Sequence, residues 1–393
     1  MKPGQVFTDN LVLLETLYNL ARKDECRRLE PCSGMGHIVD YFEKRDILFT
    51  DVIEIDKTLD KVCDREIENM DFFHLDGREW DSIITNPPYF SVKKKLYDAS
   101  RTNKVNIYIY FIEKCFDCLV DGGEMIMIVP FDFLRNTRAG KVRAAMLEKG
   151  RFTDIVDFGE QKMFSKHNPF VIIFKYVKAL ALPMYLTSPE GTKHELKIVE
   201  DTVLPLSAPL NNYFSLDHIF NVRVGLVSGA DMLFQTDHFP DYSIDMMCSD
   251  YAITKVKKRY LWTEVWDLWE DIPEDVQEYL LANEEQLRSR RGRSFKDHNW
   301  WKWSTIRNLD FQSPGMDDYC IYVNTKTRNE RPFFKARRGY FSGSLLMLDP
   351  KGDEDLDSWL EILNDPKIAF ENLLKNEGRF DFRQKTVKNI LYR

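Results

Sequence analysis

Several things that would assign this chain to a membrane, a secretory route or a metal are missing. No stretch of its 393 residues approaches the roughly 20 consecutive apolar residues of a membrane span. The first residues, Met1-Lys2-Pro3-Gly4-Gln5, lack an apolar signal-peptide core. The seven cysteines are scattered without framework spacing. Cys115 and Cys118 form a Cys-x-x-Cys in an apolar helical run, with no second pair at zinc-ribbon distance. All seven read as reduced thiols, which implies a cytoplasmic or otherwise reducing compartment. No residue cluster has metal-ligand spacing, so no metal is expected. A basic excess is missing too: the net charge is −8, so any nucleic-acid-binding face has to be local.

What is present is a chain long enough for two domains, with 44% hydrophobic residues to build their cores. Residues 9–22 carry Leu11, Leu14, Leu17, Tyr18 and Ala21 at helical spacing, with Thr8 or Asp9 available as a cap. Strand-like and helix-like segments then alternate. Strands are expected at 27–30, 48–53, 82–85, 124–129, 154–158 and 170–176, and helices at 37–44 and 107–120, the second stopped by Gly122-Gly123. This alternation predicts an α/β fold with a mostly parallel sheet. Past residue 180 the pattern fades among Pro183, Pro189, Pro205 and Pro209, and all but one of the eight tryptophans follow. The expected division is a domain over 1–185 and a second over 186–393.

In an open parallel sheet, ligands bind at the carboxyl ends of the strands. Four features stand at such ends. Glu30-Pro31-Cys32-Ser33-Gly34-Met35-Gly36 follows the first strand and lets backbone approach a ligand closely, but it lacks the third glycine of a dinucleotide fingerprint. Glu54 ends the next strand, where an acid grips ribose hydroxyls, and Ile55 can pack on a planar ring. Asp71-Phe72 offers a carboxylate and a backbone N–H suited to an adenine edge. Asn86-Pro87-Pro88-Tyr89 is the most specific: two prolines fix a rigid turn, and the Asn side-chain oxygen and adjoining backbone carbonyl can both accept from an exocyclic amine. Tyr89 supplies a stacking face.

In their order, these residues resemble the gamma-class N6-adenine DNA methyltransferases of restriction–modification systems. Gly4-Gln5-Val6-Phe7-Thr8 is similar to that family's N-terminal cofactor motif, with Asp9 where the family usually carries Pro. The resemblance implies a Rossmann-like S-adenosylmethionine-dependent methyltransferase domain followed by a C-terminal target-recognition domain. It implies that Val6, Phe7 and Thr8 hold the methionine end of S-adenosylmethionine. Glu30, Pro31, Gly34 and Gly36 then form the cofactor loop, Glu54 and Ile55 meet ribose and ring, Asp71 and Phe72 read the cofactor's adenine, and Pro88 lines the cofactor side. Asn86, Pro87, Pro88 and Tyr89 become the catalytic tetrapeptide, with Phe164 as the second stacking aromatic and Phe170 as its runner-up. Val222–Asp231, Leu280–Arg288, Trp300–Trp303 and Gly378-Arg379-Phe380 resemble stretches of the same family.

A base modified at a paired amine has to leave the duplex. Double-stranded DNA is therefore the expected partner; the resemblance implies either an orphan methyltransferase or the modification partner of a separate cognate restriction endonuclease that acts on the same site without being bound. Lys93, Lys94 and Lys95, followed by Arg101 and Lys104, form a basic loop after the tetrapeptide. Arg290, Arg291 and Arg293, with Arg288 and Lys296, and Arg337 and Arg338, with Arg328, Arg331 and Lys335, are further candidate DNA contacts. Cytosine-N4 methylation of DNA stays open, because that amine needs the same acceptors. Methylation of RNA or of protein glutamine, and a catalytically inert DNA-binding module, fit less well. A glutamine methyltransferase of release factors carries a helical domain before the glycine loop, where this chain has 28 residues before Leu29.

Overall fold

The structure is a computed structural model; it describes residues 8–393 apart from 104, 165–169, 291–294, 296, 313–317 and 377. The chain divides into two compact units, Met1–Leu210 with Asn376–Gly378, and Asn211–Lys375 with Arg379–Arg393. The division falls later than the expected 185/186 boundary, because the strands over 185–195 pair onto the first unit's sheet.

That sheet has eight strands: β1 (Arg28–Glu30), β2 (Asp51–Val52), β3 (Trp80–Thr85), β4 (Leu119–Pro130), β5 (Arg151–Asp157), β6 (Val171–Val177), β7 (Tyr185–Thr187) and β8 (Lys193–Glu195). Their order is β2-β1-β3-β4-β6-β5-β7-β8. Strands β2, β1, β3 and β4 are mutually parallel, whereas β6 runs antiparallel between β4 and β5. The apolar run Met125–Val129 is completely buried, as expected for a strand covered on both faces. β4 starts earlier than the expected 124, because Leu119 already pairs with Trp80.

Helices α1 (Leu11–Leu20), α2 (His37–Glu43), α3 (Ile107–Asp117) and α4 (Gly140–Lys149) flank the sheet. The α1 cap is Asn10, whose side chain accepts from the Val12 N–H, rather than Thr8 or Asp9. Leu13, Leu14 and Leu17 of α1 and Ile38, Val39 and Phe42 of α2 share one core with Ile84, Ile126 and Ile128. Asn106 caps α3 in the same way as Asn10 caps α1. Neighbouring β1 and β3 lead to opposite sides of the sheet, so the loops after them flank the point where strand order reverses, the usual ligand crevice of such folds.

The second unit holds a four-stranded antiparallel sheet in the order Phe220–Val224, Leu345–Pro350, Tyr319–Asn324, Phe333–Arg337. Leu356–Leu363 packs into its core through Leu356, Trp359 and Leu363. Trp300, Trp301 and Trp303 are buried in a separate core with Trp266, so these tryptophans are packing residues.

Candidate active site

The site is built from the loops after β1, β2 and β3, the short turn that Asp71 opens, and helix α3 of the first unit. The loop after β1 turns on Gly34 and Gly36, at φ 56° and 88°. Gly36 opens α2 in the left-handed region, and a Cβ there would lie 2.4 Å from Cys63 Sγ, so no other residue fits. Glu54, past β2, holds this loop down: its carboxylate accepts from the Gly34 N–H and the Asp56 N–H, both at 2.8 Å. Cys32 Sγ lies 2.9 Å from Thr85 Oγ1, which ties the loop to the end of β3.

Glu30 is completely buried at the base of the loop and accepts from the Cys32 N–H at 3.3 Å. Burial pushes its carboxyl up to about 8, against the weaker opposing effects of Thr85 and the Cys32 N–H. Among the described residues, Glu30 Oε2 and Ser33 Oγ are buried without a hydrogen-bond partner.

Asp71 caps the short turn Phe72–His74 by accepting from the Phe73 N–H at 3.0 Å. Phe72 is buried and stacks on Phe111 of α3, with ring centroids 5.7 Å apart and planes 14° apart. Ile55 is 65% exposed. These groups surround a cavity of about 560 Å³. Pro31, Gly34, Glu54, Ile55, Asp71, Phe72, Asn86 and Pro88 all line it. Cys32, Asp56, Met70, Phe73, Phe90, Leu96, Ile107 and Phe111 line it as well, and sequence reasoning passed them over. Ile107 and Phe111 carried a signal, since their i, i+4 spacing gives one apolar stripe at the start of α3. Glu30, Gly36 and Thr8 are not among the residues that line it. Val6 and Phe7 lie outside the described residues.

At the tetrapeptide, Asn86 is buried. Its Nδ2 donates to Thr8 Oγ1 at 2.9 Å, and its Oδ1 accepts from the Tyr89 hydroxyl at 2.6 Å. The same hydroxyl lies 2.9 Å from the Ile128 carbonyl of β4. The Tyr89 ring is half-buried and meets Tyr108 edge-on at 6.1 Å. Phe164 is buried in the core cluster that Tyr89 packs against.

The basic residues divide. Lys93, Lys94 and Lys95 are exposed on the loop after the tetrapeptide. That loop is stapled to α3 by the buried Glu113, which accepts from Ser100 Oγ at 2.6 Å and from the Arg101 N–H at 2.5 Å. Arg101 is thereby drawn into the staple and pairs with Asp117 at 3.0 Å; Lys104 lies outside the described residues. In the second unit, the expectation that Arg290 and Arg338 meet DNA is corrected. The Arg290 guanidinium donates to the carbonyls of Leu287, Ser228, Trp300 and Lys302, stitching its own unit together. Arg338 is 9% exposed and pairs with Asp318 and Asp349, each at 2.7 Å. Arg337 is exposed, with its Nε donating to the Tyr319 hydroxyl at 3.3 Å. Arg291 and Arg293 lie outside the described residues.

Residues 12–164 match the model of the Eco57I restriction-modification methylase family. This unit is a methyltransferase of the restriction–modification type. The methyltransferase chain is also 26% identical to the type II methyltransferase M.HindII of Haemophilus influenzae, over 83% of this chain and 74% of that protein. It is 32% identical to the type II methyltransferase M.HincII of Haemophilus influenzae, over 44% of this chain and 37% of that protein. Among solved structures, the type IIL restriction-modification enzyme MmeI in complex with DNA shares its fold with a TM-score of 0.60 at 11% identity. That alignment covers 97% of this chain and 63% of the other. The methyltransferase fold implies S-adenosylmethionine, and the residues present fit it. The cavity has the volume of a small-molecule site, and Glu54, Asp56 and Asp71 supply acidic groups to a lining that is otherwise mainly apolar.

Proposed function

We propose that this protein transfers a methyl group from S-adenosylmethionine to the exocyclic N6 of an adenine in double-stranded DNA, at sites selected by the second unit. The observation that carries this reading is the buried Asn86, held at both ends of its amide on the wall of the cavity that Glu54, Ile55 and Asp71 also line. MmeI, similar in fold, is a restriction-modification enzyme in complex with DNA, and this supports DNA as the substrate.

In this reading Glu54 accepts from ribose hydroxyls while keeping the glycine loop closed, and Asp71 with the Phe72 N–H meets the edge of the cofactor's adenine, which Ile55 covers. S-adenosylmethionine, when bound, supplies an electrophilic methyl group on a sulfonium. The chain's task is then orientation. An adenine amine is a poor nucleophile because its lone pair is delocalised into the ring. Asn86 Oδ1 and the Pro87 carbonyl accept its two hydrogens and thereby localise that lone pair and aim it. Tyr89 gives the flipped base a stacking face, typically worth about 1–3 kcal/mol, with Phe164 assigned to its opposite face and Phe170 as the runner-up. The surplus proton after transfer is acidic and leaves to water, so no strong general base is needed. Lys93, Lys94, Lys95 and Arg337 remain as exposed cations for phosphate contacts.

The test is methyl transfer from labelled S-adenosylmethionine to plasmid DNA, followed by nucleoside analysis. N6-methyldeoxyadenosine is the expected product. N4-methyldeoxycytidine would keep the mechanism and change the base. Label in RNA or protein but not in DNA would refute the reading.

A further inference from the structure

Thr8 belongs, by resemblance, to the group that holds the methionine end of the cofactor. Its hydroxyl is engaged elsewhere. Thr8 is 6% exposed, and Oγ1 accepts from Asn86 Nδ2 at 2.9 Å, across 78 residues of sequence. It is not among the residues lining the cavity. The terminal torsion of an Asn side chain is broad, so its amide plane stays fixed only when partners hold it. The second partner differs in kind. The Tyr89 hydroxyl lies 2.6 Å from Asn86 Oδ1 and 2.9 Å from the Ile128 carbonyl, and a hydroxyl has one proton to give.

We infer that Thr8 is the positioning residue for Asn86: it anchors the amide nitrogen, while the Tyr89 hydroxyl occupies Oδ1 only until the substrate amine takes its place. This rests on the proposed amine methylation. When the amine donates to Oδ1, the Tyr89 proton turns to the Ile128 carbonyl. No buried hydroxyl is left unsatisfied, and the exchange costs little. The ring need not move, so the stacking face is set before the base arrives. Thr8 keeps the amide plane fixed during this exchange, and thereby keeps Oδ1 aimed at the amine.

The experiment compares the full chain with Thr8→Val, which keeps shape and removes the hydroxyl, and Thr8→Ser, which keeps the hydroxyl. Single-turnover methylation of duplex DNA is measured at saturating cofactor and DNA, and S-adenosylmethionine affinity is measured separately by calorimetry. Thr8→Val is expected to slow transfer about tenfold to a hundredfold while cofactor affinity stays within about twofold, the signature of lost orientation. Thr8→Ser is expected to recover most of the rate. An unchanged Thr8→Val rate overturns the inference. So does a parallel loss of cofactor affinity, which would return Thr8 to the cofactor, or a thermal melt showing that Thr8→Val no longer folds while Thr8→Ser does. A parent protein that binds the cofactor but transfers nothing to DNA refutes the underlying reading instead.

Discussion

Glu30→Gln tests the acid at the base of the glycine loop. Glu30 is completely buried, and burial raises its carboxyl from 4.5 to about 8. The folded state therefore binds this proton more tightly than the unfolded chain does. The sign follows: the contribution is fully present below pH 4.5, where both states are protonated, and is lost as pH rises toward about 8. At about 1.4 kcal/mol per pH unit, the loss is about 3 kcal/mol by pH 7 and approaches about 5 kcal/mol above pH 8. Glutamine resembles the neutral acid in size and cannot ionise, so the variant lacks this slope. The assay is urea unfolding of the cofactor-free parent and variant at several pH values between 5 and 8.5. Taking the difference between the two removes the titration of every other group. The expected result is a variant that gains on the parent steadily as pH rises. A difference independent of pH would show that Glu30 is ionised at neutral pH in the folded protein, and the reasoning from burial would fail.

Asn86→Ala should reduce methyl transfer at least about a hundredfold, since misaimed reactants lose that much, while leaving S-adenosylmethionine affinity intact; equal loss of both would make Asn86 structural. Glu54→Ala removes the acceptor for the Gly34 and Asp56 N–H groups. With charge-assisted bonds at about 1.5–3 kcal/mol each, cofactor affinity should fall about tenfold or more, and DNA affinity measured by gel shift should not change. Gly36→Ala meets both a left-handed φ of 88° and Cys63 Sγ at 2.4 Å. It should cost about 2 kcal/mol or more in a thermal melt, with part of the loss recovered on adding Cys63→Ala; no recovery would mean that the backbone strain alone matters. Arg338→Met leaves Asp349 buried without one of its two arginine partners, Arg223 being the other. It should destabilise the second unit by about 3 kcal/mol without changing the salt dependence of DNA binding, whereas a shallower salt slope would restore Arg338 as a phosphate contact.

The strand-end loops could be read from the sequence because their information is local. Gly34 and Gly36 mark backbone that needs positive φ, and the two prolines after Asn86 fix a turn wherever they occur. The parallel order of β1 to β4 followed from strand–helix alternation. The antiparallel insertion of β6 between β4 and β5 did not, because strand order is a matter of long-range pairing, and an apolar strand reads the same in either direction. The pattern fades over 180–215 because β7 and β8, which finish the first sheet, are only three residues each.

The basic residues show the sharpest contrast. Arg290, Arg337 and Arg338 look alike in sequence, and burial separates them: two are absorbed into internal hydrogen bonds and ion pairs, and one stays at the surface. The residue types at the ends of β1, β2 and β3 are legible along the chain, because local backbone geometry and chemistry select them. What those residues touch is set by packing: Phe111 against Phe72, Glu54 on the Gly34 N–H, and Thr8 on Asn86. Partners separated by tens of residues meet through packing of the whole sheet, and no local pattern encodes that meeting.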